Sequence, residues 1–396
     1  MAEQFLHGVE VVNIDDGTRP IQTVKSSVIG VVGTAPNADT EAFPLNTPVL
    51  IAGNLKQAAK LGATGTLPDA INGIFDQVGA MVVVVRVAEA MTEDAEPAID
   101  TAKTQSNIIG GIDETTGEFT GLQCLIAAES VIAVQPRIII APEYSNIEAV
   151  VTEMINVATR LKGVAVVDCP QSLKPQDAIT YRKLFGDKRC YCVFPHVKVW
   201  DTVNSCEAIK PASSRVAGLI AKIDNELGFW HSPSNKTING IIGTETPIDF
   251  KLGDSNCYAN LLNENFVTTI IQQDGYRLWG NRTCSNDMKW TFINVVRTAD
   301  LINDSLQREH LWAVDRNITK TYVEDVTAGV NNYLRHLTTI GAILGGECWA
   351  DEELNTPSEL QAGKVYFDFD FTPPTPAEHI TFRSHLVNDY FKNIFK

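Results

Sequence analysis

No GxxxxGK[ST] loop, HExxH, GxSxG or CxxC occurs in this sequence, and its seven histidines never pair at metal-ligand spacing. These absences remove the sequence signatures of P-loop hydrolysis, of the common zinc hydrolases and of α/β-hydrolase acyl transfer. No apolar run approaches the roughly 20 residues of a membrane-spanning helix. The start, MAEQFLHGVE, lacks a basic region and an apolar region behind it, so no signal peptide is expected. Basic charge is scarce. Against 48 Asp and Glu stand 32 Lys and Arg, a formal net charge of −16. A nucleic-acid surface would need clustered Lys and Arg, so direct nucleic-acid binding is not expected. Eight cysteines are present. Cys190 and Cys192 stand one residue apart; Cys124, Cys169, Cys206, Cys257, Cys284 and Cys348 are scattered. Reduced, mostly buried thiols are the expectation.

What is there is ample for two or three domains: 396 residues, 44% of them hydrophobic. From Ile21 onward short Val- and Ile-rich runs alternate with helical periodicity. Val28 to Val32, Val49 to Ala52, Met81 to Val87, Arg137 to Ile140, Val164 to Val167 and Tyr191 to Phe194 read as strands covered on both faces. Asn146 to Lys162 reads as a helix, Pro175 sits near the start of another, and Ser205 to Leu227 suggests a long one that Pro211 breaks or delays. The order implies an outer α/β layer domain with a largely parallel sheet. Thr92 to Glu118, with seven acids and one lysine, reads as an exposed loop or a sub-boundary. Gly30-Val31-Val32-Gly33-Thr34 lacks the third glycine of a dinucleotide loop. Asp368 and Asp370 are explained by strand alternation rather than by a metal.

The stretch from Leu261 to Thr319 changes period. Val267 to Ile271 is a β-branched run, Asp274-Gly275 a turn, and Tyr276 to Trp279 a second strand. Phe292, Val295, Val296, Ala299, Ile302 and Leu306 then mark one face of a helix. Trp279, Phe292 and Trp312 are the expected core anchors of this part, the two tryptophans packing against that helix. A second helix follows, with capping-box spacing at Thr321 and Glu324, an apolar stripe of Val323, Val326, Val330, Leu334 and Leu337, and a stop at Gly341. Val365, Phe367, Phe369 and Phe371 alternate with polar residues as a one-faced strand.

Both ends look incomplete. Val9, Val11 and Ile14 alternate within an acidic segment that is either a strand needing a partner or a disordered tail. Ile380, Phe382 and Leu386 lie in an extended-looking end. Residues 1–20 carry four acids and one base, whereas 379–396 carry Arg383, Lys392 and Lys396 against Asp389, so the two ends have opposite signs.

The wording of several segments is more specific than their pattern. Leu261-Leu262-Asn263, Asp274-Gly275, Trp279-Gly280-Asn281-Arg282-Thr283, the helix carrying Arg297, and Trp312-Ala313-Val314 together resemble the contractile tail sheath proteins of tailed phages, above all the short P2-like sheaths, and their R-type pyocin relatives. His231 to Asn235 and Gly240 to Gly243 match the approach to that region. His7 to Val11, Ser26 to Gly30, Ser106 to Gly110, Gln135 to Ile138, Ala362 to Tyr366 and the Pro373 to Pro376 end extend the resemblance over nearly the whole chain.

The resemblance implies an α/β and α+β multidomain subunit: an N-terminal arm (1–20), an outer α/β region (21–265, with a sub-boundary near 92–118), an inner α+β domain (266–378) and a C-terminal arm (379–396). It implies self-assembly in stacked six-fold rings through exchanged arms, which would make Val9, Val11, Ile14, Ile380, Phe382 and Leu386 contact residues. It further implies a tail tube protein inside, baseplate and tail terminator partners, a place in the virion tail after assembly in the bacterial cytoplasm, and contraction that drives the tube through an envelope. Arg316, Lys320 and Arg335 are the tube-facing residues to expect, a solvated helix face being the plainer reading. No cofactor, metal or catalytic residue is required, and no membrane insertion. The alternative from the residues alone is an α/β nucleotide-binding protein or enzyme.

Overall fold

The computed structural model describes residues 21–93, 98–202 and 204–394. The N-terminal segment with Val9, Val11 and Ile14 lies outside them. Strands β1 (Ile29–Thr34), β2 (Pro48–Ala52) and β3 (Met81–Val87) open the main sheet, and a two-residue pair, β4 (Gly111–Ile112) with β5 (Phe119–Thr120), precedes its second half. Strands β6 (Ile138–Ile140), β7 (Val164–Asp168) and β8 (Cys190–Val193) complete it. The order is β2-β3-β1-β6-β7-β8; only β2 runs antiparallel.

Strand alternation divides the apolar side chains between two layers of helices. Among the helices are α1 (Leu55–Ala58), α2 (Thr66–Phe75), α3 (Thr101–Ile109), α4 (Cys124–Ile132), α5 (Glu148–Arg160), α6 (Pro175–Arg182) and α7 (Ser213–Glu226). Ile29, Val31, Val82, Val84, Ile138, Val166 and Tyr191 face α2 and α7. Val32, Val83, Val85, Ile139, Val167 and Cys192 face α4, α5 and α6. Both faces are therefore dry, as an all-apolar parallel strand requires. Helices α2 and α7 approach so closely that a Cβ on Gly218 would stand 2.8 Å from the Ile74 carbonyl oxygen.

Three details depart from the sequence reading. The Thr92 to Glu118 stretch holds α3, capped by the Asp100 carboxylate on the Lys103 amide, with Thr104 and Ile108 buried. The helix expected from Ser205 starts only at Ser213. Cys206 to Lys210 form β10, which pairs with β9 (Val197–Asp201); β11 (Gly243–Thr244) lies on the far side of β9. Pro211 separates the two regimes because its ring prevents a continuous helix.

After α8 (Tyr258–Glu264) the hairpin β12 (Thr269–Gln272) and β13 (Tyr276–Trp279) forms around Asp274 and Gly275, both at positive φ. The Thr268 amide donates to the Cys192 carbonyl and the Phe194 amide to the Thr268 carbonyl, so the hairpin continues from β8. Ile270 and Leu278 join the core under the main sheet. Packing thus runs unbroken across position 265. Then come α9 (Ile293–Glu309), α10 (Lys320–Thr339), β14 (Gly346–Ala350), α11 (Pro357–Gln361) and β15 (Phe367–Phe371), the last two strands pairing antiparallel. Helix α10 is capped by the Thr319 hydroxyl accepting from the Tyr322 amide, two residues before the expected Thr321. Its buried residues Val330, Tyr333, Leu334 and Leu337 pack with Leu301, Ile302 and Leu306 of α9 and with the phenylalanines of β15.

Candidate assembly site

Helix α9 carries more buried charge than its apolar pattern suggests. Arg297, Asp300 and Asp304 are all buried. Each is met by a residue distant in sequence. Arg189, immediately ahead of β8, donates from Nη1 and Nη2 to the two oxygens of Asp300 at 2.5 and 2.9 Å, and from Nη1 to the Gly163 carbonyl at 2.8 Å. Arg137, immediately ahead of β6, donates to Asp304 and, at 2.6 Å, to the Leu161 carbonyl. Lys162 and Arg308 also reach Asp304, at 3.4 and 2.9 Å. On the other side Arg297 donates to both oxygens of Asp224 on α7, at 2.7 and 2.5 Å. The helix is clamped across the N-terminal ends of β6, β7 and β8 and tied to α7.

Burial works to raise the Asp304 carboxyl, but the Arg137 charge and hydrogen bond, with Arg308 and Lys162, outweigh it and hold the group below its ordinary value. A lone charge in this position would be costly; in company it is fixed.

The entry of the described chain and its stretch up to Glu378 are fastened to α9 and its neighbours. At entry the Val24 amide donates to Ser305 Oγ at 3.1 Å, Arg297 reaches the Ser26 carbonyl at 3.3 Å, and the hydroxyls of Thr23 and Tyr333 are 2.9 Å apart. At exit Asn294 Nδ2 donates to the Pro374 carbonyl at 3.0 Å, and Arg282 donates from Nη2 and Nε to Glu378 Oε2 at 2.7 and 3.0 Å. Among the described residues beyond Glu378, none is hydrogen-bonded to the body. Residues 379–394 are exposed throughout, and Ile380 and Phe382 show 67% and 92% of their surface; Leu386 is fully exposed. No strand forms there; the segment ends in a short 3₁₀ turn, Asp389–Asn393.

The expected anchors sit differently. Trp279 is half-buried, edge-on to Phe250 at 5.0 Å, in a small cluster with Cys257, Ala259 and Ile271. Trp312 is half-buried beside His310 and beneath the Arg316 guanidinium, 4.8 Å from the ring centroid. Neither belongs to the cores that take up the apolar face of α9. Phe292 is the residue ahead of the first turn of α9, half-buried. Lys320 is largely exposed and pairs with Glu324 at 3.6 Å; Arg335 is exposed and donates to Asn332. On α10, 15 residues place Lys320 and Arg335 on sides of the helix roughly 60° apart but about 22 Å distant along it.

The sequence reading missed the charged clamp. Its outward signal was Arg297, Asp300 and Asp304 standing among the apolar residues of that helix.

Comparison with known proteins decides what this fold serves. The family model for the phage tail sheath C-terminal domain matches residues 285–386, that for the phage tail sheath protein central domain residues 117–284, and that for the N-terminal region of tail sheath protein Gp18 domain III residues 26–87. A putative prophage major tail sheath protein of Pseudomonas aeruginosa (strain UCBPP-PA14) is 44% identical over 391 residues, covering 98% of either chain. The chain belongs to the phage tail sheath family. This sheath protein is P2-like: the tail sheath protein of Escherichia phage P2 is 40% identical over 390 residues, 98% of each chain. The fold is also that of a chain from the PVC sheath complex of an extracellular contractile injection system in the contracted state, with a TM-score of 0.70 at 16% identity over 99% and 100% of the two chains. A chain of the contracted helical sheath of the anti-feeding prophage gives 0.69 at 18% identity over 98% and 100%. As a sheath subunit of a contractile tail, the protein is a virion component.

Proposed function

We propose that this sheath protein polymerises as stacked six-fold rings around a tail tube and shortens to drive that tube through a target envelope. The supporting observation is the contrast at Glu378. A body with dry cores and a clamped hub ends there, and an exposed segment carrying Ile380, Phe382 and Leu386 begins, with no hydrogen bond to that body among the described residues. Such a segment gains its missing contacts on a second copy, where a free strand edge offers backbone hydrogen bonds and alternate pockets. Residues Ile380, Phe382 and Leu386 would be the contacts at this end, and Val9, Val11 and Ile14 at the other.

In this reading the inner domain, expected over 266–378, is built by α9 to β15, and the outer one, expected over 21–265, by the main-sheet body, with which the β12–β13 hairpin packs. Arg316, Lys320 and Arg335 face acidic groups of the tube; the distance between Lys320 and Arg335 calls for two contacts rather than one patch. Baseplate and terminator proteins cap the two ends of the sheath, and assembly takes place in the host cytoplasm. The work of contraction is stored as a kinetically trapped arrangement of subunits, so the chain acts as a structural element and needs no cofactor.

Negative-stain microscopy of the expressed protein, beside a truncation after Glu378, tests the central claim. Ribbed cylinders from the full chain and monodisperse, folded subunits from the truncation are expected. Normal cylinders from the truncation would remove the C-terminal segment from the assembly mechanism.

A further inference from the structure

Strand β8 turns Cys190 and Cys192 to the same face. The Cys284 amide donates to the Cys190 carbonyl at 2.8 Å, which lays a third thiol beside them. The Cys190 and Cys192 sulfurs are 3.8 Å apart, those of Cys192 and Cys284 3.5 Å apart. All three lie within 4.8 Å of one another, are fully buried, and form no disulfide. The spacing fits a common ligand. A cation about 2.3 Å from each sulfur sets the sulfurs roughly 3.8 Å apart.

A second observation concerns charge. Arg182 is 8% exposed, donates from Nη2 to the Cys284 carbonyl at 2.9 Å, and has a buried Nε with no partner. Its guanidinium lies 4.7 Å from the Phe266 ring centroid. Of the buried arginines, Arg137, Arg189, Arg215 and Arg297 each meet a carboxylate; among the described residues Arg86 and Arg182 do not, and Arg86 donates to the Phe43 and Ala35 carbonyls, far in sequence from the thiols. A buried guanidinium without a counter-charge is costly. Three thiolates around a divalent cation carry one net negative charge, which Arg182 would neutralise.

We propose that Cys190, Cys192 and Cys284 bind one thiophilic divalent cation of the zinc and cadmium class, with Arg182 as the charge-compensating positioning residue. On binding, three S–H groups release three protons to solvent and three metal–sulfur bonds form, with no change of oxidation state. Soft thiolate donors select this class over magnesium or calcium. The bond would tie β8 to the segment that leads into α9, 92 residues later in the chain.

Cd(II) is titrated into the reduced full-length protein against a competing chelator, reading the ultraviolet thiolate-to-metal charge-transfer band and the melting temperature. Zn(II) displacement of the bound Cd(II) forms a second arm. One equivalent and a raised melting temperature are expected for the parent and for C206S, which removes the exposed cysteine. C192S and C284S should lose the band, and R182M should bind at least tenfold more weakly. No band in the parent means that the thiols are packing residues only and overturns the proposal. So does a band that survives in C192S and C284S, or one that disappears in C206S.

Discussion

Helix α9 and the segment after Glu378 break opposite rules. The helix buries Arg297, Asp300 and Asp304 where apolar side chains would be ordinary, while the tail exposes Ile380, Phe382, Leu386, Tyr390 and Phe391 where polar ones would be. In the helix every exception is answered within the chain: Asp224 for Arg297, Arg189 for Asp300, Arg137 for Asp304. In the tail no exception is answered among the described residues. The difference separates what this subunit needs in order to fold from what it needs in order to assemble. Buried pairs add little net stability over an apolar core but punish any loss of one partner, so they fix the geometry from which the two ends depart. Exposed apolar residues weigh little on the isolated subunit and become valuable once covered.

The largest effect should come from breaking the clamp. Asp300→Ala leaves Arg189 buried without its carboxylate and should cost about 3–5 kcal/mol in urea unfolding of the isolated subunit. Coupling to Arg189→Met should recover much of that loss. Equal stability of Asp300→Ala and parent would show that solvent reaches Arg189 and that no clamp exists. The pH arm follows from the direction at Asp304. Its folded value lies below the unfolded one, so its contribution is present above the unfolded carboxyl value near 3.8 and is lost as pH falls through the folded value. Asp304→Asn should be less stable than the parent at neutral pH and should flatten the loss of stability below roughly pH 4.

A middle case is Trp279→Ala. A fully buried tryptophan removed in this way costs about 3–5 kcal/mol. Trp279 is half-buried against Phe250, so roughly 2 kcal/mol is expected, with assembly unaffected at temperatures where the subunit is folded. Cylinders lost at full subunit stability would instead make Trp279 an interface residue.

The sheet strands were legible because each is a continuous apolar run, Val- and Ile-rich in all but β8 (CYCV), and α5, α9 and α10 because their apolar residues recur at helical spacing. Cys206 to Lys210 misled because CEAIK has no strand alternation of its own; pairing with β9 decides its state. The two tryptophans misled because size suggests a core anchor, whereas position depends on partners such as Phe250 that lie outside the motif. The clamp and the three-thiol cluster were illegible for one reason. Arg189 and Asp300 are 111 residues apart and Cys192 and Cys284 are 92, separations over which a sequence carries no periodicity. The tail reads as extended and strand-like; its residues Ile380, Phe382 and Leu386 are exposed, but no strand forms in residues 379–394 because no edge of the described body pairs with them.

The smallest effect on folding should come from the tail, and there the comparison is sharpest. Phe382→Asp replaces a side chain that is 92% exposed, so its unfolding free energy should match the parent within about 0.5 kcal/mol. The same change places a charge in a contact that assembly must dry, where an unpaired charge is strongly disfavoured. Cylinder yield should therefore collapse while the melting curve stays put. Phe382→Leu keeps the site apolar and should retain cylinders. If Phe382→Asp lowers the subunit's stability, the tail has a partner within its own chain. If it assembles normally, the arm contact runs through Ile380 or Leu386 and not through this ring.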